Sequence, residues 1–309
     1  MKRSKEMRAL MESKEMMVVP AAYDALSAKI IESAGFKAVG ISGYGLSAAL
    51  LGKPDVGLTT MTEVVNAARY ISNAVKIPVF CDFDTGYGNA INVMRTIEEF
   101  ISAGVVGGHI EDQVAPKRCG HVAGKQLISI EEAVGKFRAA DHVRKELDPD
   151  FVIIARTDAR GAIGGSIEEV ILRGRAYVEA GADVVFPDGL TSEEDLIRCV
   201  NEIPAPILYN MTGVSPRLPM PRLREIGVAI VANAGGAFRA SVRAMWDYMH
   251  SFAEGGTEFL IQFEQDISGH PTQNFHQFIG FPEIRRLEEE YLPKEEVSKK
   301  YAQSIGYQP

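Results

Sequence analysis

Residues Lys117, Arg118, Cys119, Gly120 and His121 place one thiol between two cations and an imidazole, within the stretch EDQVAPKRCGHVAGK (111–125). The stretch is too polar and too rich in Pro and Gly to be core. Cationic neighbours lower a cysteine's pKa toward neutrality, where the thiol passes protons quickly or attacks as a nucleophile. Cys119 is therefore the expected catalytic group. A second constellation is acidic: Asp82 and Asp84 in DFD, and Glu111 in HIED, each close an apolar run. Side chains alternate along a strand, which predicts that Asp82 and Asp84 share one face. If the next strand is a neighbour, Glu111 joins them. Like charges at such spacing raise one another's pKa or need a cation. A hard divalent ion with oxygen ligands meets that need, Mg²⁺ with most of its waters retained first and Mn²⁺ as its substitute. Asp55, in the Gly-bounded loop GKPDVG, is a fourth candidate ligand. A zinc site on Cys119 and His121 lacks further Cys/His ligands.

Other polar residues fall where apolar runs end. Arg156 and Asp158 lie two apart, Asn210 and Thr212 repeat that spacing, and Asp188 ends a further run. Ser42-Gly43 offers a small nest of backbone N–H groups. In NAGGAFR (233–239), glycines opening a helix with Arg239 in its first turn make a cradle for a carboxylate or phosphate. The expected ligand is a small polycarboxylate or phosphonate, and an enolate-type intermediate is consistent with a metal and cations around it.

The elements that must position these groups are legible as a repeat. Short runs rich in β-branched residues occur at 17–20, 38–43, 78–84, 107–112, 151–158, 184–189, 206–212 and 228–234. Segments of helical period, such as 90–103, 130–146, 166–180 and 192–202, lie between them. Strand and helix alternating eight times predict an α/β fold with parallel strands covered on both faces, closing as a (β/α)8 barrel; a doubly wound sheet is the runner-up. Every polar group named above then sits at the C-terminal rim, where barrel enzymes do their chemistry. Gly35, Gly104 and Gly181 read as helix C-cap signals. After about residue 255 the chain turns polar with aromatic punctuation, which predicts a barrel over 1–255 and a C-terminal helical arm over 256–309.

At 309 residues and 46% hydrophobic, the chain is long enough for a large single core. Its net charge of −8 includes no basic stripe, so nucleic acid is not an expected partner. Three cysteines and no apolar run of signal-peptide or membrane-span length predict a reducing, cytoplasmic setting.

From about Val18 to about Phe252 the chain resembles the isocitrate lyase/phosphoenolpyruvate mutase superfamily, and within it the 2-methylisocitrate lyase and dialkylmalate lyase group. The resemblance rests on YDALSA (23–28), SGY with LGKPDVGLTT (42–60), DFDTGYGN (82–89), HIEDQVAPKRCGH (109–121), ARTDA (155–159) and AFRA (237–240). KRCGH is specific to the lyase side. The resemblance implies a helix swapped between subunits, a homotetramer built as a dimer of swapped dimers, and a Mg²⁺ shell at Asp82, Asp84 and Glu111 with Asp55 nearby. It implies substrate contacts at Ser42, Gly43, Gly120, Arg156, Asp188, Asn210, Thr212 and Arg239. It makes Cys119 the general acid, with Lys117, His121 and Tyr44 beside the reacting atoms. The implied reaction is retro-aldol-like cleavage of a 2-hydroxy di- or tricarboxylate to pyruvate or another 2-oxo acid. Oxaloacetate hydrolysis or decarboxylation, and phosphonopyruvate or phosphoenolpyruvate mutase chemistry, are the alternatives within the same superfamily. Gly40 and Asp188 replace a Tyr and a Glu typical of methylisocitrate lyases, and Tyr44 flanks the Ser42-Gly43 nest, so the substrate stays open. Its side-chain preference is expected to depend on Phe186, Met211, Leu218 and Ala234.

Overall fold

Eight apolar runs form strands in the computed structural model of the chain, which describes residues 2–120, 122–302 and 305–309. They are β1 (Met17–Ala22), β2 (Val39–Ile41), β3 (Val79–Asp82), β4 (Gly107–Glu111), β5 (Val152–Thr157), β6 (Val184–Pro187), β7 (Leu208–Asn210) and β8 (Ile230–Asn233). All paired neighbours are parallel, in the order β6-β5-β4-β3-β2-β1-β8-β7. A single parallel bridge, Val185 to Ile207, draws β6 toward the start of β7 and nearly closes the ring. This is the (β/α)8 barrel expected from the alternation, not the open doubly wound sheet. Parallel strands need helical crossovers, and covering both faces makes the strands continuous apolar runs.

Local chemistry sets where the crossover helices start and stop. Asp24, Thr60, Asn89, Ser129, Ser166 and Ser192 are N-caps whose side-chain oxygens accept a backbone N–H from the first turn. Gly35, Gly104 and Gly181 follow helix ends in the left-handed conformation, as their sequence context predicts.

One apolar layer lies between strands and helices, centred on residues such as Phe83, Phe100, Phe137, Phe151 and Tyr177. A second cluster groups Val19, Phe80, Val152, Ile154, Val184, Phe186, Leu208 and Ile230 from the strands with Met7 from the helix Arg3–Glu12. Met7 is fully buried, and Arg8 donates to Phe151 O at 2.9 Å and pairs with Asp183 at 2.8 Å. The N-terminal helix is thereby fastened to residues just outside β5 and β6, on the side where the strands begin.

The chain packs as two compact units, Met1–Ser241 and Val242–Pro309. The first is the barrel. The helix Gly236–Asp266 runs through the boundary and bends at Gly256 (φ 56°, ψ −135°), next to the composition change at 255. In the second unit the helices Phe281–Tyr291 and Lys294–Ala302 follow, with Arg285 stacked 3.7 Å over the Tyr301 ring and Val297 buried. No helix among the described residues is long and apolar enough to cross a membrane.

Candidate active site

Strand ends gather most of the predicted groups around one cavity of about 730 Å³. Its floor is apolar, from Val19, Phe80, Ile154, Phe186, Leu208 and Ile230, and its rim is polar. β3 and β4 pair Asp82 with His109, whose Nε2 lies 3.1 Å from Asp82 Oδ1. β4 and β5 pair Glu111 with Arg156, 3.2 Å apart as an ion pair. Asp84 reaches the cluster differently from the strand alternation first expected. β3 ends at Asp82, and Asp84 sits beyond it in the left-handed region (φ 49°), its N–H bonded to Asp82 Oδ1 at 3.0 Å. Gly43 opens the helix Gly43–Leu51 against these acids: a Cβ there would lie 2.7 Å from Asp82 Oδ2. Only glycine lets the backbone approach that closely. Ser42 is the N-cap of this helix, its Oγ accepting Gly45 N–H at 3.2 Å.

Lys117 enters the acidic cluster from the cysteine-bearing segment. Its Nζ lies 2.7 Å from Asp55 and 2.9 Å from Asp84. Burial alone would lower its pKa, but Asp82, Glu111, Asp84 and Asp55 outweigh burial and raise it well above the usual lysine value. Burial pushes Asp84 up to about 6 and Glu111 well above the carboxylate range. Against the same burial, His109, Lys117 and Arg156 hold Asp82 well below it. Arg156 is shared by Glu111, Asp158 and Asp188, at 3.2, 3.0 and 2.8 Å.

Six buried carboxylates (Asp55, Asp82, Asp84, Glu111, Asp158, Asp188) thus face three permanent cations, Lys117, Lys125 and Arg156. Neither carboxylate oxygen of Glu111 has a hydrogen-bond partner, although Arg156 stands within ion-pair range. Unbonded buried carboxylate oxygens and an excess of negative charge are what a hard cation relieves. Among the described residues no three His, Cys, Asp or Glu side chains form a ready-made cage. The oxygen donors of Asp82, Asp84 and Glu111 are of the kind a hard divalent ion such as Mg²⁺ takes.

Cys119 lines the cavity and is partly exposed, whereas Cys81 and Cys199 are buried. The neighbouring Gly120 lies against the Arg156–Asp188 pair: a Cβ would come within 1.8 Å of Asp188 Oδ2 and 2.4 Å of Arg156. Asn210, Thr212 and Arg239 line the same cavity, and Asn210 Oδ1 is buried without a hydrogen-bond partner. Arg239 is exposed in the first turn of the helix Gly236–Asp266. Tyr44 is 48% exposed at the mouth, its ring edge-on to Phe238 at 6.1 Å. His121 lies outside the described residues.

Of the residues expected to shape specificity, Phe186 and Ala234 line the cavity. Met211 and Leu218 do not; they pack on the cluster around Tyr209 and Leu223. Arg156, an expected substrate contact, lines the cavity and pairs there with Glu111, Asp158 and Asp188. His109 escaped the sequence reading. It lies two residues before Glu111, so alternation alone would have put it on the same face. Gln113 and Lys125 escaped it too, for want of any local signal.

Residues 7–253 match the family described as phosphoenolpyruvate phosphomutase. The chain is 42% identical to 2,3-dimethylmalate lyase of Eubacterium barkeri over 293 residues, spanning 93% of this chain and 97% of that one. It is 39% identical to 2-methylisocitrate lyase of Aeropyrum pernix, spanning 94% and 91%. A crystal structure of 2,3-dimethylmalate lyase superposes with a TM-score of 0.87 at 32% identity, covering 99% of both chains. A phosphonopyruvate hydrolase solved with oxalate and Mg²⁺ superposes with a TM-score of 0.84 at 31% identity, covering 95% and 100%.

Proposed function

The chain belongs to the phosphoenolpyruvate mutase/isocitrate lyase superfamily and is a carbon–carbon lyase, and from that premise we propose a Mg²⁺-dependent enzyme that cleaves a 2-alkylmalate to pyruvate and a carboxylate. The observation that carries the reading is the seating of Cys119 on the cavity wall, with its neighbour Gly120 packed on Arg156 and Asp188. Asp82, Asp84 and Glu111, with Asp55 beside them, are the residues that would hold the ion through its waters. When bound, it supplies positive charge that lowers the energy of a developing oxyanion.

For 2,3-dimethylmalate the electrons balance as follows. A general base takes the 2-hydroxyl proton, the oxygen's lone pair forms the C=O of pyruvate, and the C2–C3 bond breaks toward C3. The Cys119 thiol gives its proton to C3, leaving propionate and a thiolate. Ser42, Gly43, Asn210, Thr212 and Arg239 supply polar contacts for the substrate carboxylates. The apolar floor takes methyl groups. Among the described residues, the arginines lining the cavity are Arg156, paired with three carboxylates, and Arg239 at the mouth, which favours a dicarboxylate such as an alkylmalate over a tricarboxylate. Tyr44 and Lys117 flank the reacting atoms, Lys117 by neutralising Asp55 and Asp84. In the same reading the enzyme is cytoplasmic and works as a homotetramer of helix-swapped dimers.

The test is pyruvate release, coupled to lactate dehydrogenase, with Mg²⁺ and 2,3-dimethylmalate, 2-methylisocitrate, isocitrate or oxaloacetate. Turnover is expected on the alkylmalate, lost in EDTA and restored by Mg²⁺. Turnover that survives metal removal overturns the Mg²⁺ assignment. Acetate and oxalate from oxaloacetate, with silence on the others, would move the protein to the hydrolase branch.

A further inference from the structure

Two buried polar side chains in the segment around Cys119 take no part in the reaction described above. Gln113 is 1% exposed, and both ends of its amide are spent on one residue: Nε2 donates to Arg118 O and Oε1 accepts Arg118 N–H, each at 2.9 Å. Lys125 is 2% exposed, and its Nζ donates to Gly120 O at 2.7 Å and to Asp158 Oδ1 at 2.9 Å. Arg118 and Gly120 are the two neighbours of Cys119. Neither belongs to a helix or strand, so no ladder satisfies their backbone groups. The two side chains do so instead.

Both clamps are anchored in paired backbone. Gln113 bridges Leu127 in antiparallel fashion, and Val114 N–H bonds Gln126 O at 2.8 Å. Lys125 bridges Ala162, and Ile163 N–H bonds Lys125 O at 3.2 Å. The frame is therefore continuous with the ends of β4 and β5, while the thiol-bearing residues hang between two side-chain ties.

We propose that Gln113 and Lys125 are positioning residues that hold the Cys119 segment closed over the cavity, acting on the reaction through the backbone on either side of the thiol, with Gln113 acting through that backbone alone. Its consequence for turnover rests on the lyase reading; the clamp itself does not. Loss of either tie leaves a buried carbonyl without its donor and favours an open segment.

The test uses the full chain and its Gln113→Met and Lys125→Met variants. The rate of Cys119 alkylation by iodoacetamide is read by peptide mass, with and without Mg²⁺ plus oxalate. Rates are compared across pH, because the reactive species is the thiolate. Each variant is expected to alkylate about 10- to 100-fold faster, the change in open population expected from one lost bond to a buried group. Protection by Mg²⁺ and oxalate should weaken in the variants, while Cys81 and Cys199 stay unmodified and so report an intact barrel. Turnover should fall mainly in kcat, with KM moved much less. Wild-type alkylation rates in folded variants overturn the clamp. If Lys125→Met exposes Cys81 or Cys199, the uncharged Gln113→Met decides alone. An unaltered chain that turns over no substrate overturns the lyase reading, while the alkylation contrast still decides the clamp.

Discussion

Cys119 differs from the other two thiols in its surroundings. Burial pushes Cys81 well above the usual thiol range and Cys199 up to about 12, which leaves both inert. Cys81 also borders the cavity but is buried, whereas Cys119 is partly exposed there and is flanked by Lys117, Arg118 and Gly120. A serine hydroxyl holds its proton far more tightly than a thiol. Cys119→Ser is expected to lower pyruvate release at least ~100-fold, the lower range for a lost general acid, with an unchanged circular dichroism spectrum. Near-normal turnover would remove the thiol from the proton transfer. Asp158 supports the site from behind. Burial would push its pKa up, but Arg156 and Lys125 bring it down to about 2, below its unfolded value of about 4. A depressed carboxylate contributes stability that is fully present above the unfolded value and lost as pH falls through the folded one. Urea midpoints should therefore fall between about pH 4 and pH 2, and Asp158→Asn should flatten that part of the profile. An identical slope in the variant would show that other groups carry the acid transition.

Among the elements, β4 is the one most constrained by its neighbours. Gly108 has no room for a side chain: a Cβ would meet Cys81 O at 2.2 Å and the Phe83 ring at 2.3 Å. Gly107 is equally tight against Val152 O at 2.5 Å. Both glycines let β4 slot between β3 and β5, which brings Glu111 level with Arg156 and His109 level with Asp82. Gly108→Ala is expected to cost about 3 kcal/mol, the upper end for overpacking, in urea denaturation. A loss below about 0.5 kcal/mol, ordinary for a surface change, would mean that the strands yield easily. The eight strands and the acids that close them were legible because each is a short apolar run with a local period. Asp84 was legible as a rim acid but not as a left-handed residue past the strand end, since φ at that point is imposed by its bond to Asp82. The Gln113 and Lys125 ties were illegible for a deeper reason. Their partners Arg118, Gly120 and Asp158 are chosen by how a loop folds back on itself and onto the end of β5, and no periodicity records that.

For the whole molecule, the informative feature is a long helix that carries an exposed run of apolar side chains past its first turns. Gly236–Asp266 runs 31 residues, and none of them is buried. Val242, Met245, Trp246, Met249 and Phe252 recur at three and four residues, and all are exposed, Trp246 at 63%. That spacing draws an apolar stripe along one face, which a helix in water ordinarily covers. The expected cover is the same surface of a second copy, in keeping with the helix exchange that the sequence resemblance implies. Replacing Trp246 and Met249 together by Glu places two charges in that stripe, each costly to bury without a partner. Light scattering should then report a smaller species than the unaltered protein. The circular dichroism of the barrel should persist, because the strands and the layer around Phe83 and Phe137 lie within Met1–Ser241. An unchanged mass would show that the stripe is not an assembly surface.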